Sequence, residues 1–255
     1  MSQYAIYPSL KGQAVLVTGG ATGIGESVVS DFCRQGSKVA FVDINDEAGE
    51  KLRDRLTDET GNAPLFLHCD LTDIGALQAS VVAAQRNIGT IRTLVNSAAN
   101  DDRHSIESVT AEYWDNRQAV NLRHQFFAAQ AVIPGMKQAG GGSIINLGSM
   151  SWRAAMGGMP AYVTAKAAVE GLTRALARDV GQFNIRVNLV VPGWVMTERQ
   201  IRLWLNEEGE RTMDRMQCLR GRLQPDDISH MILFLAADDS RMCTAQAFVV
   251  DAGWA

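Results

Sequence analysis

Thr18-Gly19-Gly20-Ala21-Thr22-Gly23-Ile24-Gly25 follows directly on an apolar run at 14–17 and opens a helix-period segment at 24–35. Glycines between a strand and a helix serve three separate needs here. Gly19 permits the tight turn, Gly23 lets backbone approach a pyrophosphate, and Gly25 lets the helix pack closely. The helix start adds orphan amide donors and the positive end of a dipole. A glycine-rich turn alone serves any tight connection; between a strand and a helix it reads as a phosphate cradle.

Outward from that turn, the apolar runs 14–17, 38–42, 64–68, 91–95, 143–147, 185–191 and 247–250 read as seven strands. Helix-period segments at 24–35, 47–58, 74–87, 111–138, 160–181 and 226–237 separate them. The strands are almost wholly apolar instead of alternating, so both sheet faces must be covered. The expected fold is α/β: a single-domain, Rossmann-type, doubly wound parallel sheet of seven strands with helices on both faces. Residues 194–222 break the rhythm with mixed charge and two tryptophans, and read as a substrate-loop insertion after the sixth strand.

Composition narrows the partners. The 255 residues are 46% hydrophobic and 20% charged with 23 glycines, a globular balance with enough apolar residues for a sizeable core. A net charge of −4 offers no basic field for nucleic acid or an anionic membrane. The four cysteines, Cys33, Cys69, Cys218 and Cys243, lie far apart and read as buried free thiols, with no metal site or disulfide framework. No basic segment followed by an apolar one opens the chain, and no run of ~18 apolar residues occurs. A small-molecule ligand and a cytoplasmic location are the expectations.

Asp43 ends the second strand about 20 residues past the glycines, where a carboxylate can accept from ribose hydroxyls and repel a 2′-phosphate. That favours NAD over NADP. The structural alternative, a cap on the next helix, is better served by Asn45 or Asp46. Asp70 could hold an adenine ring or cap a helix from Thr72, and both readings stay open.

Ser149 follows the fifth strand, Tyr162 lies thirteen positions on, and Lys166 is four beyond it on one helical face. The Lys166 ammonium can then favour the Tyr162 phenolate, since a tyrosine pKa of about 10 is too high for a base near neutrality. Ser149 can hold a substrate oxygen beside the Tyr162 hydroxyl. Asn121, within the helix read at 111–138, could steady Lys166 through water. Singly, Tyr162 would be a half-buried core residue and Lys166 a surface neighbour. Together with Ser149 and the glycine turn they read as an acid/base constellation for oxidising an alcohol.

Thr18-Gly-x-x-x-Gly-x-Gly25, Asp70, Asn121, Ser149, Tyr162-x-x-x-Lys166 and Pro192-Gly193 resemble the short-chain dehydrogenase/reductase family along the whole chain. The resemblance implies a catalytic tetrad of Asn121, Ser149, Tyr162 and Lys166. It implies cofactor contacts from Gly19, Thr22, Gly23, Ile24, Gly25, Asp43, Asp70, Leu71, Asn96, Tyr162, Lys166, Pro192, Val195 and Thr197. The family usually reads Asn-Asn-Ala-Gly after the fourth strand, whereas this chain has Asn96-Ser97-Ala98-Ala99. Ala99 narrows the space beside the adenosine ribose.

The loops expected around the substrate are Asn100-Asp101-Asp102-Arg103-His104, Met150-Ser151-Trp152-Arg153 and Trp194. Their polar and aromatic mixture suits a polyhydroxylated ligand, with Arg103, His104, Ser149, Trp152, Arg153, Tyr162 and Trp194 as candidate contacts. A surface ion cluster of Asp101, Asp102 and Arg103 is the duller alternative. Asn100-Asp-Asp-Arg-His104, Tyr113-Trp114-Asp115, Asn121-Leu-Arg-His124, Gln217-Cys218-Leu219 and Asp251-Ala-Gly-Trp254 are similar to bacterial NAD-dependent sugar dehydrogenases of the same family. That implies oxidation of an aldose at C1 to its lactone, or of a sugar acid such as a keto-deoxy intermediate, by a homotetramer. A 3-oxoacyl carrier-protein reductase would want NADPH and a basic patch, against Asp43 and the net negative charge. A regulator that has lost catalysis would not need Ser149, Tyr162 and Lys166 together.

Overall fold

The computed structural model describes residues 4–254; residues 1–3, part of the segment inspected for a leader, and Ala255 lie outside them. The strands are β1 (Ala14–Thr18), β2 (Lys38–Asp43), β3 (Leu65–His68), β4 (Thr93–Asn96), β5 (Gly142–Leu147), β6 (Ile185–Pro192) and β7 (Ala247–Val250). All pair in parallel, in the order β3-β2-β1-β4-β5-β6-β7. The order reverses between β1 and β4, where Val15 pairs Val39 on one side and Thr93 on the other. An open parallel sheet places its cleft outside the carboxyl ends at such a reversal.

Helices cover both faces. They are α1 (Gly23–Arg34), α2 (Asp46–Thr60), α3 (Ile74–Ile88), α4 (Ala111–Gln118), α5 (His124–Gln138), α6 (Pro160–Val180), α7 (Glu198–Leu203), α8 (Glu207–Met216) and α9 (Pro225–Ala236). Val15, Val17, Val39 and Phe41 point to one side, against Val29 and Phe32 of α1, Leu52 and Leu56 of α2, and Ile228 and Ile232 of α9. Leu16, Ala40, Val42 and Leu94 point to the other, against Leu77 and Val81 of α3, Val132 of α5, and Leu176 of α6. Strand period two thus feeds two apolar layers, which explains the continuous apolar runs in the sequence.

Two expectations need correction. The single helix read at 111–138 is broken by a π-turn at Ala119–Arg123, which separates α4 from α5. The thiols are all free, but only Cys33 and Cys69 are buried; Cys218 is exposed and Cys243 half-buried. Within 194–222 lie the short α7 and α8.

Gly25 shows how tight the first turn is, because a Cβ there would stand 1.8 Å from the Gly19 carbonyl oxygen. No flexible side chain can move aside, since the obstacle is backbone. Gly25→Ala is expected to lower the melting temperature by roughly 10 °C, from about 3 kcal/mol of overpacking. A melting curve unchanged from wild type would mean that the turn is loose.

Candidate active site

A cleft of about 1520 Å³ opens at the β1/β4 reversal and runs from the glycine turn past Tyr162 to Trp194 and α7. At one end, Gly19 and Gly23 take positive φ of 66° and 59°. A Cβ on Gly19 would meet Ala98 Cα at 2.5 Å, and one on Gly23 would meet Thr197 Cγ2 at 3.1 Å. Asp43 braces this turn: Oδ2 accepts from the Ala21 amide at 3.0 Å and Oδ1 from the Asn45 amide at 3.0 Å. Asn45, Asp73, Thr110, Thr197 and Asn206 cap their helices by accepting an amide, but Thr22, the N-cap of α1, makes no such bond. The amides of the first turn of α1 have no intrahelical acceptor and border the cleft. These are the features that fit a dinucleotide phosphate.

Deeper in, Lys166 is 1% exposed and its Nζ donates to the Leu147 carbonyl at 2.8 Å. It stands over the Tyr162 ring, 5.7 Å from the centroid. Burial pulls Lys166 down to about 7, with Asp101 opposing. Tyr162 is pushed up to about 12, chiefly by burial; the Ser149 hydroxyl lowers it, Asp101 raises it and Arg103 lowers it. Desolvation dominates at Tyr162, and Lys166 is not among the groups that lower it, so the expected lowering by Lys166 is not found; burial opposes the phenolate, and Ser149 and Arg103 favour it.

Above Tyr162 the cleft wall is polar. Asp101, Arg103, Arg117 and Gln200 line it with Trp194, Met156 and Met159. Arg103 donates to Met159 Sδ at 2.8 Å and lies 5.1 Å from the Trp204 ring centroid. Asp101 and Asp102 pair with Arg199 and Arg117, not with Arg103. The ion cluster imagined from sequence therefore has other members.

A family model described as Enoyl-(Acyl carrier protein) reductase matches residues 19–255. D-xylose 1-dehydrogenase of Caulobacter vibrioides is 48% identical over 98% of each chain. The probable galactose dehydrogenase GalD of Rhizobium meliloti is 48% identical, covering 97% of this chain and 96% of its own. The chain belongs to the short-chain dehydrogenase/reductase family. Among solved structures, a 7α-hydroxysteroid dehydrogenase complexed with NADH and 7-oxo glycochenodeoxycholic acid superposes with a TM-score of 0.92 at 29% identity, covering 97% of this chain and 96% of that one. Dehydrogenases of the family use a nicotinamide cofactor, and the chain is similar to such enzymes from end to end.

In this short-chain dehydrogenase/reductase, most expected residues reach the cleft: Gly19, Thr22, Gly23, Ile24, Gly25, Asp43, Asp70, Leu71, Arg103, Ser149, Tyr162, Lys166, Pro192, Trp194, Val195 and Thr197 all line it. Several do not. Asn96 is fully buried within the sheet, donating to Asn146 Oδ1 at 2.9 Å, its partner in register. His104 is tied up: its Nδ1 lies 3.0 Å from the Tyr113 hydroxyl, and its Nε2 accepts from the Ala161 amide at 3.4 Å. Arg153 turns away to Glu170 at 3.0 Å and covers Trp152, so both leave the cleft.

Asn121, expected to steady Lys166 through water, makes its direct bonds to the loop after β4. Its side chain accepts from the Asn100 amide at 2.8 Å and donates to the Asn100 carbonyl at 3.1 Å, pinning the loop after β4. Asp70 accepts from the Thr72 amide and hydroxyl, both at 2.8 Å, while Asp73 caps α3. Asp70 is therefore no helix cap. Sequence reasoning overlooked Arg117, Arg199 and Gln200, and the only available signal was the polar Arg199-Gln200 pair just after Thr197.

Lys166 has an ordinary value of 10.5 and about 7 in the fold, so between these the unfolded chain binds more protons. Stability contributed at this site rises with pH across that window. Lys166→Met should thus be more stable than wild type near pH 7. The gap between the two should narrow toward pH 10, by at most ~1.4 kcal/mol for each step of one in pH. Urea midpoints at pH 7, 8 and 9 read this, and a pH-independent gap would contradict the buried-cation account.

Proposed function

We propose that the chain is an NAD-dependent sugar dehydrogenase that oxidises the C1 hydroxyl of an aldose to the lactone. The observation that carries this reading is the wall facing Tyr162: Asp101, Arg103 and Gln200 supply charged and amide groups beside the Trp194 ring. Hydroxyls need donors and acceptors, and sugar C–H edges suit an indole face. The names of the two 48%-identical relatives, a xylose and a probable galactose dehydrogenase, support the same class. A sugar acid is the second reading, because Arg103 pairs with no carboxylate among the described residues.

When bound, the oxidised nicotinamide supplies a hydride acceptor and a positive charge in the cleft. The side chains do the rest. Ser149 holds the substrate oxygen beside the Tyr162 hydroxyl, and Tyr162 as phenolate removes the proton from that oxygen. Lys166, held by the Leu147 carbonyl, fixes the Tyr162 ring from beneath. Asn121 sets the Asn100 backbone that carries Asp101 and Arg103.

Asp43 faces the cleft at the end of β2 and disfavours a 2′-phosphate. The two arginines nearest this end of the cleft are already engaged among the described residues. Arg34 is paired with Asp31 and Glu59, and Arg55 with Glu26 and Glu59. NAD is therefore the cofactor we assign. We also assign a cytoplasmic location, and a homotetramer supported by the exposed Phe126 on α5 beside half-buried Phe127. No described helix is long and apolar enough to cross a membrane.

Tyr162→Phe should leave NADH binding nearly intact and lower turnover of D-xylose or D-galactose by roughly 10²-fold or more. Wild-type turnover in that variant would end the assignment. Asp43→Ala should cut the NAD-to-NADP ratio of kcat/KM by about tenfold, equivalent to ~1.4 kcal/mol of relieved repulsion. An unchanged ratio would remove Asp43 from cofactor selection.

A further inference from the structure

The loop after β4 and the segment after β6 meet over the cleft through two neighbouring carboxylates, Asp101 and Asp102, with Asp101 taking the larger share. Asp101 Oδ2 accepts from Gln200 Nε2 at 2.7 Å, and Oδ1 accepts from Arg199 Nε at 3.2 Å. Gln200 in turn accepts from Trp194 Nε1 at 3.1 Å, so three side chains of the later segment hang on Asp101. The anchor is backed from the other side. Asn121 grips the Asn100 backbone, while Asp102 bonds the second arm of Arg199 and accepts from Arg117 at 3.4 Å.

Two features separate this contact from an ordinary surface ion pair, which contributes little. The Asp101 side chain is only 17% exposed. More decisively, α7 has no buried residue, so it has no apolar face of its own to hold it against the body. Between the buried Val195 and Met196 before it and Trp204, which meets Arg103 after it, α7 itself is held to the β4 loop by polar bonds, two to Asp101 and one to Asp102.

Resting on the dehydrogenase reading above, we propose that Asp101 is a positioning residue that couples closure of this segment to the chemistry: docking of Trp194, Arg199 and Gln200 completes the wall over the substrate and sets Arg199 against the negative charge that faces Tyr162. With the segment docked, the guanidinium offsets the carboxylate. With it lifted, a bare carboxylate confronts Tyr162 and opposes loss of its proton.

Asp101 does reach both members of the pair, raising Tyr162 and Lys166 alike. The groups facing Tyr162 are Ser149 after β5, Lys166 on α6, and Asp101 and Arg103 after β4. Arg199 of α7 and Arg117 of α4 act behind these, through Asp101 and Asp102. Charge on the base is thereby tied to the position of a segment that does not itself touch the phenol.

The test uses the full chain with NAD and D-xylose or D-galactose, and compares Asp101→Asn, Arg199→Gln and the double variant. Removing the carboxylate should move the acidic limb of the kcat profile to lower pH, and removing the guanidinium should move it to higher pH, each by about 0.5 in pH or more. In the double variant the Arg199 effect should vanish. KM should rise about tenfold in each single variant, more than kcat falls. Shifts of the same sign, or an Arg199 effect that persists without the carboxylate, would overturn the coupling.

A second arm needs no sugar. Amide hydrogen exchange across Glu198–Leu203 should quicken by about tenfold in Arg199→Gln while α1 and α6 stay unchanged. Unaltered exchange in Glu198–Leu203 would remove the latch. Wild-type inactivity on both sugars would instead sink the sugar reading and leave this arm to decide.

Discussion

Everything in the cleft depends on a place where backbone meets backbone with nothing between. Gly25 lies so close to the Gly19 carbonyl, and Gly19 so close to Ala98, that neither position has room for a methyl group. These contacts tie the turn after β1 to the chain leaving β4, at the seam where strand order reverses. The same seam fixes how far the start of α1 stands from the wall that bears Tyr162. A steric restriction on two hydrogens thus sets the separation between the two working ends of the site.

The second organising fact is the buried amine. Lys166 lies almost wholly out of water with one carbonyl to receive its protons. Such burial is unfavourable for a cation, and the fold tolerates it at the base of the cleft. Buried polar side chains cluster in the same region, with Asn96, Asn121, Gln125 and Asn146 fully enclosed. The interior beneath the site is therefore not a continuation of the aliphatic core, and stability there is given up for placement of groups.

Much of this was legible in the sequence, and the failures have physical reasons. Strands and glycines announce themselves locally, because both apolar runs and tight turns are short-range patterns. Tyr162 and Lys166 are likewise local, one helical turn apart. His104 misled because what occupies its ring comes from Tyr113 and Ala161, which no local pattern ties to it. Trp152 and Arg153 misled because a short 3₁₀ turn at Met150–Trp152 re-aims the chain, and Glu170 then captures the guanidinium. Asn96 misled because it ends a strand; register places it opposite Asn146, inside the sheet.

The π-turn at Ala119–Arg123 was invisible for a different reason: Ala-Val-Asn-Leu-Arg carries neither glycine nor proline. Its consequence is one of phase. A single extra residue rotates everything downstream by about 100° relative to a continuous α-helix. Upstream, α4 has no buried residue and turns Asn116 and Arg117 to the cleft. Downstream, α5 buries Ala128, Ala129, Val132 and Met136 against the sheet. One uninterrupted helix would have to give both halves the same inner face. The inserted residue lets one rod serve two masters, and a chain shortened by that residue would have to choose between lining the cleft and sealing the core.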